Sequence, residues 1–181
     1  MIDHPARYGF HATLKPPFAL AAGADERGLE TSLEAFVAAR KASAMPALSV
    51  QPLHGFLALR PEGDAAVLRR LADDCVKAFD VFRRPPSEAE LGMRRAGGLS
   101  PAQEANLERW GYPYVFGEYR FHMTLTERLD DTARGRLEAI LTARFASALA
   151  APRRLSSIAL FVEPGAGSPF TLRRRFAFAG G

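Results

Sequence analysis

Two histidines and two threonines carry the chemistry legible in this chain. Phe10-His11-Ala12-Thr13-Leu14 recurs as Phe121-His122-Met123-Thr124-Leu125. Neutral imidazole accepts a proton and imidazolium donates one. Two histidines on opposite sides of a reacting centre therefore supply a general base and a general acid. In-line displacement at phosphorus needs that pair: one histidine activates water, and the other protonates the departing oxygen. The hydroxyls of Thr13 and Thr124, with a nearby cation, can hold the non-bridging oxygens as charge builds. No metal is required. A single His-x-Thr in a strand is uninformative and reads as a packed or surface histidine. Two copies, each with Phe before and Leu after, are harder to assign to packing. Metal ligation is the weaker reading, because neither histidine has a nearby carboxylate or His-x-His spacing. Nucleophilic catalysis is weaker again, because no Ser or Cys has an evident histidine partner.

Each phrase needs an element that aims both side chains one way, and a strand of period two does so. In the first copy Tyr8, Phe10, Ala12 and Leu14 fall on one face, and Arg7, His11, Thr13 and Lys15 on the other. In the second, Tyr119, Phe121, Met123 and Leu125 oppose Arg120, His122, Thr124 and Thr126. The expected key strands cover residues 7–15 and about 114–126. Asp25 caps an expected helix over about 25–43, with Leu29, Leu33, Phe36 and Val37 at helical spacing. Strands over 47–52 and 55–60 flank a His54-Gly55 turn. A helix over about 64–82 carries Leu68, Leu71, Cys75 and Phe79 on one face. Residues 83–113 read as an insertion or lid, with short helices over about 87–94 and 100–110 capped by Ser87 and Ser100. Asp130 or Asp131 starts a helix whose inner face is Leu137, Ile140, Leu141 and Phe145. Strands over about 154–163 and 169–178 follow, the last with Leu172, Phe176 and Phe178 on one face and Arg173 and Arg175 on the other.

Each key strand is followed by an amphipathic helix and then by a strand, which is the mark of a duplication. The second is also preceded by a strand and a helix, whereas six residues precede the first. The expected organisation is one domain over 1–181, with lobe 1 at about 1–53 and lobe 2 at about 54–181. Either the halves are unequal by nature or the first lobe lacks its leading strand-helix unit, and the second is the expectation. Pseudo-twofold symmetry would face His11 and His122 across one cleft.

The totals bound the partners. Apolar residues make up 48% and charged residues 24%, ordinary for a soluble globular protein. The net charge is +4, from 21 Arg and 3 Lys against 20 acids. Arginine suits bidentate phosphate recognition, but the richness in Ala points to codon bias for most of the excess. One cysteine, Cys75, excludes an internal disulfide and reads as core. No signal peptide opens the chain and no stretch approaches a membrane span, so the expectation is a cytoplasmic location without membrane contact. His4 reads as terminal coil and His54 as a solvated turn. Arg120 is the best-placed cation on the His122 face, and Lys15 on the His11 face. Arg83 and Arg84 read as a solvated pair, with a phosphate clamp as the alternative. Arg173–Arg175 reads as a solvated strand. Tyr8, Tyr112, Tyr114 and Trp110 could stack a base or sugar; Trp110 reads as core, while Tyr112 stays open.

At these residues the chain resembles the two-histidine phosphoesterase superfamily, which includes RNA ligase-like cyclic phosphodiesterases. The paired His-x-Thr-Leu motifs carry that resemblance. Residues 7–18, Arg-Tyr-Gly-Phe-His-Ala-Thr-Leu-Lys-Pro-Pro-Phe, resemble more narrowly a bacterial branch encoded beside phosphonate-degradation genes. So do Pro85-Pro86-Ser87-Glu88-Ala89-Glu90-Leu91, Trp110-Gly111-Tyr112-Pro113-Tyr114-Val115 and Phe121–Thr126. The resemblance implies an α+β fold of two pseudo-symmetric lobes, mainly antiparallel sheet with outer helices, around a central cleft. It implies metal-independent hydrolysis or ligation of cyclic or 2′-linked phosphoesters, without a cofactor. His11 and His122 would be the acid-base pair and Thr13 and Thr124 phosphate ligands. From residue type and strand face, outside what the resemblance carries over, Arg120 and Lys15 are expected to assist at the phosphate, and Tyr8, Tyr112 and Arg83 could touch substrate. The implied substrate is a small ribosyl cyclic phosphate or an RNA 2′,3′-cyclic end, with no DNA partner. A nucleotide- or RNA-binding module without catalysis is the alternative from another class.

Overall fold

The computed structural model describes residues 9–180. Tyr8, Arg7 and His4 lie outside the described residues. Among the described residues the α-helices are α1 (Glu26–Ala38), α2 (Ala66–Ala78), α3 (Glu88–Arg95), α4 (Pro101–Trp110) and α5 (Asp131–Ala150). The strands are β1 (Ser43–Met45), β2 (Leu48–Leu53), β3 (Phe56–Pro61), β4 (Met123–Thr124), β5 (Arg153–Leu155), β6 (Ser157–Val162) and β7 (Thr171–Ala177). They form three antiparallel groups, β1-β5, β2-β3-β4 and β6-β7. The fold is α+β.

Two compact units share the chain. One comprises Met1–Thr13, Val37–Ala65 and Phe121–Gly181; its described part holds every strand and α5. The other, Leu14–Phe36 and Ala66–Arg120, holds α2, α3, α4 and most of α1.

In the strand-bearing unit, β2 and β3 form a hairpin with Leu53 opposite Phe56. Its two loop residues, His54 (φ 47) and Gly55 (φ 90), both take positive φ. That is the turn whose twist matches the flanking strands. Leu48 and Val50 of β2 are buried, as are Leu57, Ala58 and Leu59 of β3. Asp130 caps α5, its side chain accepting from the Ala133 N–H at 2.8 Å. The expected inner face of α5 holds only in part. Leu137, Leu141 and Phe145 are half-buried, but Ile140 is 59% exposed.

The last hairpin corrects another expected face. Phe161 pairs with Leu172 and Leu160 with Arg174, which leaves Arg173 as an extra residue in β7. An extra residue shifts the alternation. Phe176 and Phe178 are therefore buried while Leu172 is 48% exposed.

In the helical unit, Leu29, Leu33 and Phe36 of α1 are buried, with the Phe36 and Phe79 rings 5.0 Å apart. Leu68, Leu71, Ala72, Cys75 and Val76 form the buried face of α2. The expected cysteine in the core is thus observed. Ser87 and Ser100 each cap their helix in a reciprocal box, with Glu90 and Gln103 returning a bond to the cap N–H. Helix α1 stops at Ala38 and not near residue 43, because Ser43–Met45 pair with Arg153–Leu155. Strand pairing here overrides the helix propensity of the alanines.

Both expected key strands need correction. Residues 9–15 form no strand; among the described residues no strand pairs with them. Phe10, expected inward, is 58% exposed. The second key strand shrinks to Met123–Thr124, opposite Leu59 and Ala58. Beyond it the ladder passes to a side chain. The N–H groups of Leu125 and Thr126 both reach the Leu57 carbonyl, at 2.9 and 3.3 Å, and the Leu57 N–H donates to the Thr126 hydroxyl at 3.0 Å. Before it, Phe116–Glu118 make a 3-10 turn. The alternation survives at Tyr119 and Phe121, which are buried beside an exposed Arg120.

Candidate active site

Gly9 has φ +65, a left-handed turn just ahead of His11. That bend lets the His11 side chain fold back on its own backbone, with Nδ1 3.1 Å from the Gly9 carbonyl oxygen. A carbonyl only accepts, so Nδ1 carries the proton and donates it. In the neutral ring Nε2 is then the basic nitrogen. It stands 3.0 Å from the Thr13 hydroxyl, which donates to it; once the ring is protonated, the bond reverses. The i, i+2 spacing is thus realised as a direct imidazole–hydroxyl pair, built by a turn and not by strand pleating. On its flank lies Phe161 of β6, with ring centroids 5.8 Å apart.

His122 immediately precedes β4, and Thr124 is paired with Ala58 through that strand. The imidazole of His122 lies against Phe56 of β3, with centroids 5.9 Å apart. Both His-x-Thr copies belong to the strand-bearing unit. Each imidazole leans on a phenylalanine, at 40° for Phe161 and 52° for Phe56. Sequence reasoning missed both rings. The signal was that each begins or lies within a strand just before a Pro-Glu-Gly or Glu-Pro-Gly turn, at 61–63 and 163–165. Thr126, expected on the His122 face, instead ties the backbone together, its hydroxyl accepting from the Leu57 N–H and donating to the Glu127 carbonyl at 2.8 Å.

The candidate cations have other partners. Lys15 is buried in the helical unit, its ammonium donating to the Val76 carbonyl at 3.2 Å and to Asp80 Oδ1 at 3.3 Å. Arg83 grips the same carboxylate twice, Nε to Oδ1 at 2.7 Å and Nη2 to Oδ2 at 3.1 Å. Arg83 is therefore not the solvated residue expected. Burial pushes the Lys15 ammonium below its ordinary value, against the attraction of Asp80. Burial alone would raise the Asp80 carboxyl, but the Arg83 hydrogen bond and the Lys15 charge together hold it below the usual carboxylate range. Asp80 had no signal in the sequence beyond its place three residues before Arg83. Arg120 donates through Nη1 to the carbonyls of Gly117 at 2.7 Å and Tyr119 at 2.9 Å. Tyr112 sits under the Arg94 guanidinium, 4.5 Å from the ring centroid.

Among the described residues no group of three or more His, Cys, Asp or Glu is placed to hold a metal ion. No described helix is long and apolar enough to cross a membrane.

A family described as "Protein of unknown function (DUF1045)" matches residues 13–171. Two curated relatives carry the name "Ribose 1,5-bisphosphate phosphokinase PhnN". The one from Janthinobacterium sp. (strain Marseille) is 43% identical over 181 residues, spanning 96% of this chain and 39% of the relative. The one from Laribacter hongkongensis (strain HLHK9) is 44% identical over 170 residues, spanning 93% and 39%. The chain thus spans about two fifths of the length of these curated relatives. No solved structure matches it.

Proposed function

We propose that this chain, which belongs to the DUF1045 family, opens a cyclic phosphodiester by acid-base catalysis between His11 and His122. The preferred substrate is a small ribosyl cyclic phosphate of phosphonate metabolism. One observation carries the reading: His11 is fixed as the tautomer with a basic Nε2 against the Thr13 hydroxyl, within a His-x-Thr phrase that the same compact unit repeats. In the reaction one imidazole takes a proton from water as its oxygen bonds to phosphorus. The P–O bond to the ribose oxygen breaks, the second imidazole protonates that oxygen, and a phosphomonoester remains. With phosphate bound, the Thr13 hydroxyl turns from His11 Nε2 to a non-bridging oxygen, which frees that nitrogen for the water, and Thr124 donates to the other non-bridging oxygen. The chain's own groups balance every proton, so turnover is expected to persist in chelator.

The name of the curated relatives concerns a phosphorylated ribose, which supports a ribosyl substrate. Their kinase activity is not carried over. A phosphate-binding loop of the G-x-x-x-x-G-K-[ST] type needs its lysine after glycine. Lys15, Lys41 and Lys77 follow Leu14, Arg40 and Val76. The name describes proteins of which this chain spans 39%, which leaves room for a kinase segment elsewhere in them.

The test is turnover of purified protein on ribosyl cyclic phosphate and on nucleotide 2′,3′-cyclic phosphates. His11→Ala and His122→Ala should each lower the rate at least ~100-fold. Unchanged turnover in both variants sinks the assignment. A preference for the nucleotide substrates would move the reading to RNA ends.

A further inference from the structure

Every second residue from Trp110 to Phe116 is aromatic: Trp110, Tyr112, Tyr114 and Phe116. Between them Pro113 and Val115 are buried and anchor the stretch. Asn106 of α4 secures it further, its amide donating to the Pro113 and Val115 carbonyls at 3.2 and 3.1 Å. The rings contact one another in pairs, Trp110 with Phe116 at 5.0 Å and Tyr112 with Tyr114 at 5.6 Å. Three rings each carry a cation from a different helix. Lys77 of α2 lies 5.5 Å from Phe116, Arg94 of α3 4.5 Å from Tyr112, and Arg109 of α4 4.7 Å from Trp110. Tyr114, which carries none, is the most open of the four at 47%.

The charges around this cluster sort themselves. Glu90 is held by Arg84, Glu104 and Glu108 by Arg95, and Glu118 accepts from Gln103. Among the described residues none of the three stacked cations joins an ion pair with a carboxylate. A guanidinium lying on a ring keeps its N–H donors directed outward in its own plane, where they match a phosphate. Phe116 holds φ 54, which a bulky residue seldom adopts, and this turn sets its ring between Trp110 and Lys77. Solvated cations need no such arrangement.

We infer that the Trp110–Phe116 stretch with Lys77, Arg94 and Arg109 binds single-stranded nucleic acid. A base stacks on Tyr114, and the stacked cations contact the phosphates. An exposed ring accepts any base face, and cations beside the rings accept the backbone between bases. This inference is independent of the proposed hydrolysis, and its test involves no turnover.

Fluorescence anisotropy with a labelled single-stranded oligoadenylate tests it, beside an abasic strand of equal length. Tyr114→Ala and Arg94→Ala should each weaken oligoadenylate binding ~10-fold, and Tyr114→Phe should restore it. The logarithm of affinity should fall with the logarithm of salt at a slope on the order of −2, as three phosphate contacts require, and Arg94→Ala should reduce that slope by about 0.7. Circular dichroism melting of each variant separates lost binding from lost fold. No binding by the folded parent protein overturns the inference. Equal affinity for the abasic strand overturns it as well, since the cations would then hold an anion without stacking. So does a proline-rich peptide that binds this face while oligoadenylate does not.

Discussion

Truncating Asp80 to alanine should be among the most destabilising single changes in the helical unit. Asp80 joins Lys15, whose side chain is 8% exposed, to Arg83, and is itself 17% exposed. Removing one partner of a buried pair leaves an uncompensated charge, at a cost of about 3 kcal/mol or more. For a chain of this size that corresponds to a fall in Tm of roughly 6–12 °C. Thermal and urea unfolding of Asp80→Ala measure it. Lys15→Met placed in the Asp80→Ala background should recover much of the loss, because the stranded ammonium goes with it. The pH dependence supplies a second check. Asp80 is held below its unfolded value, so its contribution is present above about pH 4 and is lost as pH falls through the folded value. Lys15 is lowered by burial, so the unfolded chain holds that proton more tightly. Its penalty therefore fades as pH rises from the folded value toward the ordinary ~10.4. Asp80→Ala should lose the acid component and regain more stability than the parent at alkaline pH. A cost under ~1 kcal/mol, with an unchanged pH profile, would refute the reasoning, since that is how an exposed pair behaves.

Other predictions are local. Gly111 ends α4 with φ +72, and a Cβ there would stand 2.9 Å from the Arg83 Nη1. Gly111→Ala should cost about 1 kcal/mol or more in urea unfolding, through backbone conformation and the displaced guanidinium. Thr126→Val removes a buried hydroxyl that serves both Leu57 and Glu127; it should destabilise by about 1–3 kcal/mol, with amide exchange at Leu57 accelerated. The Glu90 carboxyl is lowered to about 2, first by the Ser87 N–H and then by Arg84. Carbon-detected NMR titration should follow it there, and Arg84→Ala should move it back toward the ordinary range.

Much of the local structure is legible in the sequence. The helix caps at Ser87, Ser100 and Asp130 follow from side chains that bond the first free N–H groups of their own helices. The His54-Gly55 turn and the buried position of Cys75 follow from local spacing in the same way. Those features depend on neighbours within one or two turns of chain. The two key strands were not legible, because a strand exists only if something pairs with it. Residues 9–15 have the alternation of a strand but belong to no sheet among the described residues, and the second phrase pairs for two residues before the Thr126 hydroxyl takes over the ladder. Lys15 reads as a cation on the histidine face until Asp80, distant in sequence, captures it.

By itself, then, the sequence determined the chemical vocabulary: a phrase of histidine and threonine stated twice, the helix periods, the caps and the turns. All of these are set by residue type and short spacing. Only the tertiary structure decided which groups meet. It set Phe161 and Phe56 beside the two imidazoles and drew Lys15 onto the carboxylate that Arg83 grips locally. Pairing, burial and charge capture act between segments far apart in the chain, and no local pattern encodes which partner will arrive.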